Sequence, residues 1–254
     1  MKRLAKVAVA ALLSLILLLS GPLLMLASSQ VTLDHHWSSA DRSSAGLAPA
    51  ADQVQEAVVQ VYSARAYHWR GAFGVHTWIA TKEEGANHYR IYQVLSWRRP
   101  TVVINTGVPD RAWYGSIPEL LADYRGQSAQ ALIPQIDAAV DYYPASQQYR
   151  AWPGPNSNSF VAWVIRNVSG LEVALPNTAI GKDFLFDERI APTTGGHGVQ
   201  LSLSGVLGIA VGLDAGVEFN LLGLSVGIDV RYPAFKLPGI GRLGMERPVA
   251  GDIY

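Results

Sequence analysis

Asn156-Ser157-Asn158-Ser159 is the stretch of this chain where residue type and position come closest to chemistry. Pro153, Gly154 and Pro155 stop any regular element from running through, and Asn156 is a strong N-cap. Phe160, Val161, Val164, Ile165 and Val168 then recur on one helical face, so the spacing predicts a helix that opens at Ser157 and is closed by Ser169 and Gly170. A serine hydroxyl there sits at the positive end of a helix dipole, beside backbone N–H groups with no intrahelical partner. That is an environment in which an attacked carbonyl or an oxyanion can be held. As a nucleophile Ser157 needs a base, and the candidates are His76 in GVHTWIA and His88 in NHYRIYQVLSW. Asn156 and Asn158 supply amides that orient a base or donate to an oxyanion, while Trp113, Tyr114 and Trp152 are candidates for lining a cleft. The bland reading stands beside the sharp one: Ser and Asn cap helices without catalysing anything, a strand histidine often bonds only to backbone, and aromatics fill cores.

The elements that must position these groups are legible from periodicity. Residues 57–66, 74–82 and 88–97 are rich in Val, Ile, Tyr and Trp and read as an antiparallel meander, with 101–107 as a short fourth strand. His76 shares a strand face with Trp78, whereas His88, Arg90, Tyr92 and Val94 share one on the next strand. A simple hairpin around the Glu83–Ala86 turn sets His76 opposite Val94, which counts against a direct His76 to His88 contact. His88, Tyr92 and Gln93 are the third-strand groups available to orient His76. Ser116 with Glu119 predicts a short capped helix ended by Gly126, and a second helix is expected over residues 128–142 with Pro134 at its start or at a kink. The sum is an α+β core, residues 55–195.

The flanks differ in character. Lys2, Arg3 and Lys6 precede an apolar run from Val7 to Ala27 that is long enough to span a bilayer and, with Ala27, Ser28 and Ser29 after it, also suits a cleavable signal peptide. Residues 1–29 are thus read as an anchor or signal segment, with the rest expected on the extracytoplasmic, periplasmic side of a cell membrane. Residues 30–54 read as a linker. His35 and His36 within it make a poor coordination set, and Trp37 suits a membrane interface. Residues 196–254 form a Gly-rich β segment and tail. Over residues 199–230, turns at Ser204-Gly205 and Asp214-Ala215-Gly216 and the alternation from Leu222 to Val230 predict three or four antiparallel strands, which either complete the core or rest on lipid or another subunit. The sheet is expected to end by Gly241, leaving a loose tail.

Composition narrows the classes. Basic and acidic residues balance at 20 each, and no basic stripe interleaves with aromatics, so nothing supports nucleic-acid binding. The absence of cysteine excludes disulfides, thiolate metal sites, a lipoprotein anchor and a Cys nucleophile. Gly181-Lys182-Asp183 lacks the remaining positions of a phosphate loop, and no metal or cofactor fingerprint is present.

Two resemblances add to this. Asn156-Ser157-Asn158-Ser159-Phe160-Val161 resembles the Asn-Cys-x-His-Phe-Val segment of circularly permuted papain-like proteins of the lecithin:retinol acyltransferase type, with Ser157 at the nucleophile position. The resemblance implies a base on an earlier strand, His76, and a hydrolase or acyltransferase acting on an amide or ester, such as an envelope peptide or a lipid acyl group. Serine in place of cysteine equally suits an inactive fold of that type, used as an envelope binding or structural module. The wider run from PDRAWYG through WPGPNSNSF to TAIGKD resembles a bacterial family of membrane-anchored proteins of unknown function.

Overall fold

The computed structural model describes residues 2–33 and 36–251; His35 and the last three residues of the tail lie outside them. The apolar run forms helix α1 (Lys2–Ala27), which is long and apolar enough to cross a membrane.

The meander forms as its periodicity predicts: β1 (Val58–Arg65), β2 (Val75–Lys82), β3 (Tyr89–Val94) and β4 (Val102–Gly107) pair antiparallel in sequence. The predicted short helix after Ser116 is instead strand β5 (Glu119–Arg125), which pairs antiparallel with β1. Alternation decides the outcome: Ala122 and Tyr124 bury on the helix side of the sheet, and the long-range ladder to β1 outweighs a local capping box. Gly126, at φ +55°, opens helix α2 (Gly126–Asp141) where it was expected to close the shorter one, and Pro134 lies inside α2. Helix α3 (Ser157–Asn167) starts where Asn156 predicts. Both helices pack on one face of the first sheet, where Val59, Val61, Ile79 and Tyr92 meet Ile136, Phe160 and Val164.

The other face, with Val58, Tyr62, Trp78 and Ile91, is covered by Leu47, Ala48, Ala51 and Val54 from the stretch that composition reads as a linker. The Asp110 carboxylate holds this strap down, accepting from Ser44 Oγ (2.9 Å), Leu47 N (2.6 Å) and Ala48 N (3.2 Å).

The C-terminal part is a separate antiparallel sheet, and it is larger than expected. The four strands β7 (Gly198–Leu203), β8 (Leu207–Gly212), β9 (Gly216–Leu221) and β10 (Leu224–Asp229) are joined by the two expected turns, at Ser204-Gly205 and around Asp214–Gly216, and by a third, at Leu222-Gly223, that falls where strand alternation was expected. They are flanked by β6 (Ile190–Pro192), β11 (Ala234–Leu237) and β12 (Gly241–Gly244). The tail expected to be loose thus continues the sheet, and its last described strand, β13 (Ala250–Gly251), returns to pair parallel with β5 of the first sheet. Lys236, Arg242 and Arg247 explain the extension: Lys236 reaches the buried Glu218, while both arginines bond the Asp229 carboxylate. Charges that read as solvated tail are ion-paired in the fold.

Helix α1 docks on the rest of the chain through its second half. Met25 and Leu26 pack with Ala72, Phe73 and Ile240, beside a 3-10 turn over His68–Ala72. A Cβ at Gly21 would collide with the Pro238 carbonyl, and one at Gly239 would lie 2.8 Å from Pro22 N, so two glycines permit this approach. Arg65, at the end of β1, donates to the carbonyls of Gly71, Gly239 and Ile240 and ties the 3-10 turn to the second sheet.

Candidate functional site

The start of α3 is held by its two asparagines. Asn156 Oδ1 accepts from the backbone N–H of Asn158 (2.9 Å) and Ser159 (3.1 Å), while Ser159 Oγ accepts from the Asn156 N–H (3.3 Å), completing a capping box. The Asn156 amide also donates to the carbonyls of Ala151 (3.1 Å) and Ile180 (2.9 Å). Asn158 accepts from Thr77 Oγ1 (2.9 Å) and donates to Val75 O (2.9 Å) and Ile180 O (2.8 Å), riveting the helix start to β2 and to the loop after α3. Both amides are thus committed to structure. Ser157 is nearly buried, and its hydroxyl makes no hydrogen bond among the described residues.

His76 stands on β2 beside Thr77. Because Thr77 points to Asn158, strand alternation turns His76 to the opposite face, with Trp78. There it stacks on Trp113 at a centroid distance of 3.8 Å, and its Nε2 lies 3.3 Å from Gln93 Oε1. Gln93 Nε2 donates to Asn105 Oδ1 (3.3 Å), which turns Gln93 Oε1 toward the imidazole. The network therefore assigns the proton to Nε2 and leaves Nδ1 as the acceptor. Burial pushes the imidazole down to about 4, with the Gln93 hydrogen bond opposing the shift only in part, so the ring is neutral at pH 7. Of the three groups available to orient His76, Gln93 is the one that does so. Tyr92 faces the helices and bonds Asp137 (2.7 Å), and His88 is exposed just before β3, its Nδ1 3.1 Å from Asn87 Oδ1. The observed pairing of Ile79 with Tyr92 is shifted by one residue from the expected hairpin, which would set Ile79 opposite Ile91 and His76 opposite Val94, but it too keeps His76 and His88 apart.

Ser157, His76 and the two asparagines line one cavity of about 1110 Å³, a volume just above the roughly 300–1,000 Å³ of small-molecule sites. Trp113, Tyr114 and Trp152 line it as the sequence suggests, and Trp152 Nε1 donates to Leu222 O (2.8 Å). Sequence reasoning missed the rest of the wall: Trp69 and Arg70 of the 3-10 turn, Trp97 after β3, Leu222 and Leu224 of the second sheet, and Leu15, Leu18 and Leu19 of α1. Only the abundance of tryptophan hints at it, since five of the seven face this space. Among the described residues Arg70 is the lining's only formally charged side chain; its guanidinium lies 5.1 Å from the Trp69 ring centroid.

Away from the cavity, Lys182 and Asp183, read from sequence as too short for a phosphate loop, are buried beneath the second sheet. Lys182 Nζ bonds Glu218 (2.5 Å) and Asp183 (3.3 Å), and Asn220 donates to Asp183 (2.8 Å). Among the described residues no cluster of three or more His, Asp or Glu side chains is arranged to hold a metal ion.

No curated protein and no solved structure matches the chain. The run of motifs from PDRAWYG to TAIGKD lies within the span of a family match that covers residues 56–184, from just before β1 to the loop after α3, and takes in His76, Trp113 and the Asn156–Ser159 helix start. That span is just over half of the 254 residues, and the protein belongs to the family described as Protein of unknown function (DUF3750).

Proposed function

We propose that the protein is a membrane-anchored binding module that holds an apolar, acyl-type ligand in the cavity between its two sheets and α1. The observation that carries this reading is the lining itself: tryptophan and leucine from three parts of the chain, with one positive charge, Arg70, to meet an anionic head. A peptide would bring backbone donors and acceptors that such a wall leaves unpaired, so an acyl chain fits better than the envelope peptide. Brominated fatty acid added to the detergent-solubilised protein should quench tryptophan emission saturably, and palmitic acid should restore it. Quenching that rises linearly and resists competition refutes the reading.

A second reading, the hydrolase or acyltransferase with Ser157 as nucleophile and His76 as base, draws on the presence of both side chains at the same cavity and on the resemblance to permuted papain-like proteins. Against it stand the Ser157 hydroxyl with no bonded base and an imidazole whose burial makes it a weak acceptor. A serine-directed fluorophosphonate probe distinguishes the two. The binding module leaves Ser157 unlabelled, and labelling that Ser157→Ala and His76→Ala abolish would restore the enzyme.

A further inference from the structure

The second sheet is built with its polarity reversed. Its inner face buries Gln200, Ser202, Glu218, Asn220 and Lys236, whereas cross-strand rows of apolar side chains run over its outer face. One row is Ile190, Leu201, Ile209, Phe219 and Val226; the next is Val199, Val211, Val217, Ile228, Phe235 and Leu243. Phe219 and Phe235 are 53% and 65% exposed. At about 4.8 Å per strand the five- and six-strand rows extend roughly 20–25 Å, so the patch is far larger than the scattered apolar residues of a soluble surface.

The placement of α1 says what covers it. Hydrocarbon about 30 Å thick takes up about 20 helical residues, and Lys2, Arg3 and Lys6 hold the amino end in the headgroups, so the span runs from about Val7 to the end of α1. The docked half, from Leu18 to Met25, therefore lies in the leaflet on the carboxyl side. What packs against it is the β11–β12 turn of the second sheet, through Gly21 on Pro238 and Gly239 on Pro22. We infer that the outer face of the second sheet lies against the acyl chains of that leaflet, so that the protein contacts lipid through a sheet as well as through its helix. The inference does not depend on what occupies the cavity.

Because the chain has no cysteine, Phe219→Cys, Phe235→Cys and Glu84→Cys can each carry one environment-sensitive fluorophore in the full-length protein. Reconstituted in phosphatidylcholine and phosphatidylglycerol vesicles, the labels at 219 and 235 should emit in the blue and be quenched at least about twofold by dibrominated acyl chains, with Glu84→Cys unaffected. Unsubstituted protein in vesicles containing a photoactivatable acyl-chain phosphatidylcholine should acquire adducts on strands β7 to β10 as well as on α1. The inference is overturned by labels that report water at 219 and 235, by labels that are dry yet unquenched and cross-link between two copies of the chain, or by adducts confined to α1.

Discussion

Asn156→Ala tests whether the α3 start is a structural joint. The native side chain makes five hydrogen bonds: two from backbone N–H groups cap the helix, a longer one comes from Ser159 Oγ (3.4 Å), and two hold the carbonyls of Ala151 and Ile180. Loss of a cap costs about 1 kcal/mol and each of the other two bonds about the same, so the variant should lose about 3 kcal/mol. For a chain of this size that is roughly 6–12 °C in thermal midpoint. Asn156→Asp keeps the oxygen that caps but replaces the amide donors with an acceptor facing the carbonyls of Ala151 and Ile180, so it should lose at least about 2 of those 3 kcal/mol. Ser157→Ala removes a hydroxyl with no partner and should stay within about 0.5 kcal/mol of the parent. Thermal unfolding of the detergent-solubilised proteins, followed by circular dichroism, gives the comparison. A midpoint for Asn156→Ala no lower than that for Ser157→Ala would refute the capping argument and return Ser157 to the centre of the site.

Stability should decline as pH falls from 6.5 toward 4, because His76 is neutral in the fold and charges readily once unfolded. Its folded value of about 4 lies below its unfolded one, so the contribution is complete above pH 6.5 and is about 1–2 kcal/mol smaller at pH 5. Denaturant titrations at pH 7 and 5 should show the loss in the parent protein and a smaller one in His76→Gln. A further loss below pH 4.5 should follow Glu218: burial raises its carboxyl, but Lys182 and Lys236 outweigh burial and hold it well below its ordinary value, so its contribution persists above pH 4.5 and fades in acid. Glu218→Gln leaves two buried ammonium groups short of a partner and should cost about 3 kcal/mol or more in the same titrations. Gly21→Val places a side chain against the Pro238 carbonyl, so it should lower the thermal midpoint, whereas Leu13→Ala on the exposed part of α1 should not.

The β1–β4 meander, α3 and the first two turns of the second sheet were legible because each carries a local signal: alternation, a cap followed by helical spacing, or a glycine at a bend. What escaped was decided at long range. Glu119 to Arg125 carries a capping box that local rules favour, and only its partner β1 makes it a strand. Arg242 and Arg247 look like solvated tail charges until Asp229 meets them from 13 and 18 residues away. At the site, the pairing of Gln93 with His76 lay among the readable options, but the cavity was hidden because its walls come from α1, the first sheet and the second sheet. The reversed polarity of the second sheet was half visible: alternation predicts two unlike faces, and nothing local says which one turns outward.

The parallel pairing of β13 with β5 has a consequence for synthesis. Strand β5 emerges early, yet its outer edge has no strand to receive until Ala250 and Gly251 have been made. At roughly 5–20 residues per second the interval is on the order of 6–25 s, during which β5 presents unpaired N–H and C=O groups next to a growing, largely apolar sheet. Released chains that stop before residue 250 should therefore be more prone to aggregation and to capture by chaperones than released chains that include Ala250 and Gly251, although only two residues of strand separate them.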